Sequence, residues 1–133
     1  MDTPSSPIVN IDEYGIIHIE LGSGVTDLEQ LRIANKKHRA LTSVPCPVLV
    51  FSNAGNKISV TTEAMEYGSS KEAMEVATAY ALITQSFIQR YIVKILITFH
   101  RPPRPTKAFS NKQDAIEWLR QCDGAHKPSQ KAN

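Results

Sequence analysis

The sequence predicts one α/β domain whose sheet is mostly parallel, and three observations carry that prediction. Short apolar runs alternate with stretches whose apolar residues fall at i, i+3, i+4 and i+7, and strands separated by helices imply parallel pairing through crossover connections. The run Val48-Leu49-Val50-Phe51 is apolar without alternation, as strands covered on both faces are. The segment from His100 to Gln121, HRPPRPTKAFSNKQDAIEWLRQ, sets a proline-stiffened loop, a short strand and a helix in succession.

The elements follow in order. Residues 1–7 carry prolines and serines with nothing to bury and predict a flexible lead-in, with a single domain over 8–122 and a disordered tail over 123–133. Val9 and Ile11 alternate with polar neighbours, Asp12 to Gly15 supply a turn, and Ile17, Ile19 and Leu21 alternate with Ile16, His18 and Glu20; this is a hairpin with an antiparallel edge strand. Thr26 with Glu29 forms a capping box for a helix whose Leu28, Leu31, Ala34, His38 and Leu41 share one face, while Arg32, Lys36 and Arg39 point to solvent. After the apolar strand, SNAGNKI is a turn-rich loop, and its single glycine lacks the spacing of a phosphate-binding loop. Thr61 is the expected N-cap of a short helix that Gly68 ends, and Ser69 with Glu72 repeats the capping box for a second.

Ala77, Ala79, Ala81 and Ile83 form the small, apolar face of the next strand, against which a helix can pack closely. Residues 87–99 are rich in β-branched side chains, yet Ile88, Tyr91, Ile92, Ile95, Leu96 and Phe99 keep helical spacing and predict a helix. Phe87, Val93 and Ile97 fall off that stripe and are the expected surface of a homo-oligomer, unless neighbouring elements cover them. Pro102, Pro103 and Pro105 exclude helix interior and central strand from 101–105, Lys107 to Phe109 leave room for one strand, and Ser110 with Gln113 caps a last helix with Ala115, Trp118, Leu119 and Cys122 on its apolar face.

A chain of 133 residues with 41% hydrophobic content supports one core. Its 15 basic and 13 acidic residues give a net charge of +2, too little for a whole-molecule field that recruits nucleic acid or an acidic membrane. Cys46 and Cys122 stand far apart with no Cys/His spacing, so neither a metal site nor a disulfide framework is expected, and a reducing cytoplasm suits them. No export signal or membrane-spanning run occurs. His38 reads as a hydrogen-bonded boundary residue. No nucleophile elbow, Cys/His pair, paired-carboxylate signature or dinucleotide fingerprint is visible, so no cofactor is expected and an enzyme is the weaker reading.

With PCPVLVFSN, ISVTTEAMEY, ATAYALI and above all RPPRPTKAFSNKQDAIEWLRQ in place, residues 8–121 resemble the small bacterial STAS-like, SpoIIAA-like domain proteins of uncharacterised function. The resemblance implies the STAS/SpoIIAA-like sandwich and a non-enzymatic module that binds a protein partner. Classical members are switched by phosphorylation near the helix that follows a central strand, which in this chain is 52–62, with Ser59, Thr61 and Thr62 as the hydroxyls on offer. The Asp-Ser-Ser-Gly-type motif of those members is missing, and ordinary helix capping is the competing reading of all three. Arg101, Arg104 and Lys107 are a second candidate contact, for an anion or an acidic partner patch; no aromatic platform is interleaved to stack bases. The alternative function is a small-molecule or lipid-binding protein with a pocket between helix 87–99 and the sheet, lined by His38 or Tyr80.

Overall fold

The computed structural model describes residues 6–21, 26–52, 61–68, 70–84, 91, 94 and 104–126. Along the chain lie β1 (Ile8–Ile11), β2 (Ile17–Leu21), α1 (Leu28–Leu41), β3 (Cys46–Ser52), α2 (Thr62–Gly68), α3 (Lys71–Met74), β4 (Ala77–Ile83), β5 (Thr106–Phe109) and α4 (Lys112–His126). Among the described residues the sheet has five strands, in the order β1-β2-β3-β4-β5. Only β1 runs against its neighbour, from Ile8 opposite Glu20 to Ile11 opposite Ile17. The other pairs are parallel, with Ile17 beside Val48, Val48 beside Tyr80 and Tyr80 beside Thr106. The mostly parallel α/β sheet with an N-terminal hairpin edge is the architecture that the alternation of elements implied.

The hairpin turn is made by Asp12. Its Oδ1 accepts from the amides of Tyr14 (2.8 Å) and Ile16 (3.0 Å), its carbonyl accepts from Gly15, and Gly15 takes φ 80°, a conformation that favours glycine.

The two faces of the sheet carry separate cores. Under α4 lie Ile16, Leu49, Ala79, Ala81 and Ile83 with Ala115 and Leu119 from the helix, rimmed by Phe51, Phe109, Ile116, Trp118 and Cys122. The alanines of β4 let the helix approach, and Ala115 and Leu119 are the inner part of its expected apolar face. Beneath α1 lie Ile17, Ile19, Leu21, Cys46, Val48 and Ala77 with Ala34. Consecutive Val48 and Leu49 are thus buried on opposite faces, as an apolar run without alternation requires.

Several expectations need correction. All three capping boxes are displaced by one residue. Asp27, not Thr26, caps α1 by accepting from the Gln30 amide (3.0 Å); Ser70, not Ser69, caps α3 through the Ala73 amide (3.2 Å); Asn111, not Ser110, caps α4 through the Asp114 amide (2.9 Å). Thr61 does cap α2, accepting from the Ala64 amide at 3.1 Å. Pro7 was placed in a lead-in with nothing to bury, but it is fully buried and its carbonyl accepts from Lys37 Nζ at 2.7 Å. Helix α4 continues to His126, beyond residue 123, where a disordered tail was expected to begin. Leu41 is exposed in the last turn of α1 and leaves the apolar stripe assigned to it. Of the helix expected over 87–99, only Tyr91 and Lys94 fall among the described residues; both are helical, and Tyr91, 66% exposed, does not belong to a sheet-facing stripe.

Candidate functional site

In open α/β sheets, binding surfaces gather beyond the carboxyl ends of the strands. Here that pole is where the chain leaves β3 at Ser52 and returns at Thr61. The Thr61 amide donates to the Thr26 carbonyl at 3.0 Å, and Thr26 is buried. One backbone hydrogen bond therefore ties the far end of the β3–α2 loop to the segment that links β2 to α1. The Thr61 hydroxyl faces the first amides of α2, where it caps Ala64. Ser59 and the Thr62 side chain lie outside the described residues.

The last residues of β3 add an aromatic surface at this pole. Phe51 is half-buried, meets the His18 ring edge-on at 6.4 Å between centroids, and carries Lys112 Nζ 3.6 Å above its own ring centre. Behind it, His18 Nε2 lies 2.7 Å from Asp12 Oδ2. Burial pushes the Asp12 carboxyl up, but hydrogen bonds from His18, Ile16 and Tyr14 outweigh it and leave the group below its usual value. His18 stands on the α4 face, partly covered by Phe51 and Asp12. At the far end of the same helix, Arg120 stacks over Tyr14 at 4.2 Å.

The basic residues sit elsewhere. Arg104 donates from Nε to the Ala77 carbonyl at 3.0 Å, at the amino end of β4, so this side chain has a structural task. Lys107 is on β5 and lies 5.4 Å from the Phe109 ring centre. Arg39, from α1, reaches the same amino pole, donating to the Glu72 carbonyl (3.1 Å) and lying 3.4 Å from Glu75 Oε1. The fold consequently places Thr61 and Arg104 at opposite poles of the sheet, and the two candidate contact surfaces do not combine into one site. Arg101, Phe87, Val93 and Ile97 lie outside the described residues, as does most of the helix that would wall a pocket.

The buried polar groups on the α1 face are held uncharged. His38, expected as a hydrogen-bonded boundary residue, is instead 1% exposed with its Nε2 unpartnered among the described residues, and desolvation, helped by the neighbouring Arg39 charge, lowers its pKa to about 4. Burial also raises Tyr80, whose hydroxyl donates to the Ala73 carbonyl at 2.8 Å, and it pushes Tyr67 up to about 12, where the hydroxyl donates to Glu72 Oε2 at 3.0 Å. As proton donors, Tyr67 ties α2 to α3 and Tyr80 pins α3 to the sheet. No group of three or more His, Cys, Asp or Glu with metal-binding geometry occurs among the described residues. No helix among them is long and apolar enough to cross a membrane.

Sequence reasoning missed the Asp12–His18 pair, the cation contacts on Phe51 and Tyr14, and the Thr26–Thr61 bond. The first had a faint signal, since Asp12 and His18 flank a turn and become partners once the hairpin register is fixed.

With this geometry established, the comparisons with known proteins are informative. The family described as a domain of unknown function, DUF7793, matches residues 10–123. The chain belongs to this family. The matched span runs from the second half of β1 into α4, so the DUF7793 unit takes in β2 to β5 and part of β1. An uncharacterized protein of the DUF3478 family with a SpoIIAA-like fold, from Shewanella loihica PV-4, has a similar structure, with a TM-score of 0.62 at 16% identity, covering 90% of this DUF7793 chain and 97% of that one. At that identity the likeness shows the fold alone, and the fold is SpoIIAA-like. No curated protein matches the sequence.

Proposed function

We propose that the chain is a non-enzymatic protein-interaction or regulatory module whose partner-contacting surface is the β3–α2 loop, residues 52–62. The observation that carries this reading is the bond from the Thr61 amide to the Thr26 carbonyl. It closes the loop at the carboxyl pole of the strands, where such sheets present their binding surfaces, and holds the Thr61 hydroxyl at the head of α2. A phosphoryl group on Ser59, Thr61 or Thr62 would add about two negative charges and several acceptor oxygens beside those amides, enough to reorder the loop or to create a site for a basic partner. Arg101, Arg104 and Lys107 are the second proposed contact, for an anion or an acidic partner patch, with Arg104 at the other pole.

The test is native mass spectrometry of the protein purified from its own host, followed by denaturing mass on the same sample. A phosphate increment mapping to Ser59, Thr61 or Thr62, or a co-purifying protein whose binding Thr61→Glu alters, is the expected result. An unmodified chain that carries a small molecule would replace this reading with the ligand-binding one. An unmodified chain without any partner would count against a regulated module.

A further inference from the structure

The outer edge of β1 carries an inference independent of the loop. The Asp12 amide donates to the Ile16 carbonyl at 3.0 Å. In an antiparallel ladder, backbone groups face the partner strand at every second residue. The pairing of Ile8 with Glu20 and Asn10 with His18 therefore uses the backbone groups of Ile8 and Asn10, and those of Val9 and Ile11 point away from the sheet. Among the described residues β1 pairs with β2 alone. Three large apolar side chains of the hairpin are exposed, Ile8 (49%) and Ile11 (42%) on β1 and Tyr14 (50%) in the turn.

The charges at the two ends of this edge are opposite. At its amino end the Lys37 ammonium sits on the Pro7 carbonyl; at its carboxyl end stand Asp12 and exposed Glu13. A second copy aligned antiparallel brings each lysine end against the partner's acidic end, whereas parallel alignment would juxtapose like charges. Antiparallel pairing of this strand with itself also has a register that uses every outward group: Val9 opposite Ile11 of the other copy, with Asn10 on the twofold axis. In that register Val9 and Ile11 exchange both backbone hydrogen bonds, and their side chains, on the α1 face in each copy, form one continuous apolar strip.

We infer that the free edge of β1 is a self-association surface, and that two copies of this chain join there through antiparallel β1 strands into one continuous sheet. The interface is closed by symmetry. It differs from an oligomer built on Phe87, Val93 and Ile97, and the experiment separates the two.

Sedimentation equilibrium over roughly 1 μM to 1 mM protein covers the range in which a small interface of this kind is measured. The wild-type chain is expected to dimerise. Ile11→Lys places a charge on an exposed edge position and should weaken dimerisation about tenfold or more with an unchanged far-ultraviolet circular dichroism spectrum. Lys37→Glu should weaken it by a smaller factor, and adding Glu13→Lys should restore it. Val93→Glu should leave the dimer intact if the variant folds. A chain that stays monomeric across the range, a dimer indifferent to Ile11→Lys, or a charge swap that fails to restore association would each overturn the proposal, as would folded monomers produced by Val93→Glu in place of Ile11→Lys.

Discussion

The two faces of the sheet are built by different means. Beneath α4 the contacts are apolar, alanines against Ala115 and Leu119, with aromatic rings and cations confined to the rim. On the α1 face, buried polar groups are interspersed, with His38 in the helix and Tyr67 and Tyr80 donating to Glu72 and Ala73. The α4 face derives most of its stability from packing, and its Asp12–His18 pair gives way only as pH falls below the usual carboxylate range. The α1 face depends on keeping His38 neutral and the two phenols bonded, so its stability should vary with pH.

Four substitutions break or sharpen this contrast. Leu119→Ala should be the most damaging, leaving a cavity that β4, already alanine, has no side chain to fill, at a cost of about 2–5 kcal/mol in chemical denaturation. The effect should be equal at pH 5 and pH 7. Next is His38. Its folded pKa lies near 4 and the unfolded value near 6.5, so the unfolded chain binds the extra proton first. The neutral-histidine contribution is complete above about pH 6.5 and is lost as pH falls toward 4, by up to about 3 kcal/mol. His38→Leu should flatten the stability profile in that window while leaving stability at pH 7 no lower; an unchanged slope would show that another group sets it.

Tyr80→Phe removes the donor to the Ala73 carbonyl and should cost about 1–3 kcal/mol, at pH 5 and pH 7 alike, because the phenol does not titrate there. The smallest effect belongs to the α4 rim. Lys112→Gln removes the cation over Phe51 and should cost about 0.5–1 kcal/mol, measurable as a small shift of the denaturation midpoint. If Lys112→Gln exceeded Tyr80→Phe, the assignment of packing to one face and polar bonding to the other would be wrong.

The same contrast explains what could be read from the sequence. The alternation in β4, the unbroken apolar run in β3 and the stripe of α4 are periodic signals, and each depends only on which residues lie within one element. Helix starts were legible to within one residue. Where two cap-type residues are adjacent, as in Thr26-Asp27, Ser69-Ser70 and Ser110-Asn111, local pattern cannot choose between them; Thr26 is taken out of contention by its backbone bond to Thr61, which is remote in sequence. The candidate site was legible only as a loop and its hydroxyls. The bond that closes it, the link from Arg104 to Ala77 and the His18–Asp12 pair all depend on strand order and register, which no single segment encodes. Pro7 was misread because proline near a terminus looks like loop, whereas its burial comes from packing beside Lys37 of α1.

The Thr26–Thr61 bond joins main chain to main chain, so neither residue's side chain is needed to make it. Both loops can therefore diversify in sequence while their closure is inherited unchanged, whereas a one-residue insertion beside either partner would shift the register of both at once. Such a joint tolerates substitution and resists length change, which makes the spacing between β2 and Thr26, and between β3 and Thr61, the quantity that a designer of new recognition loops on this scaffold should hold fixed.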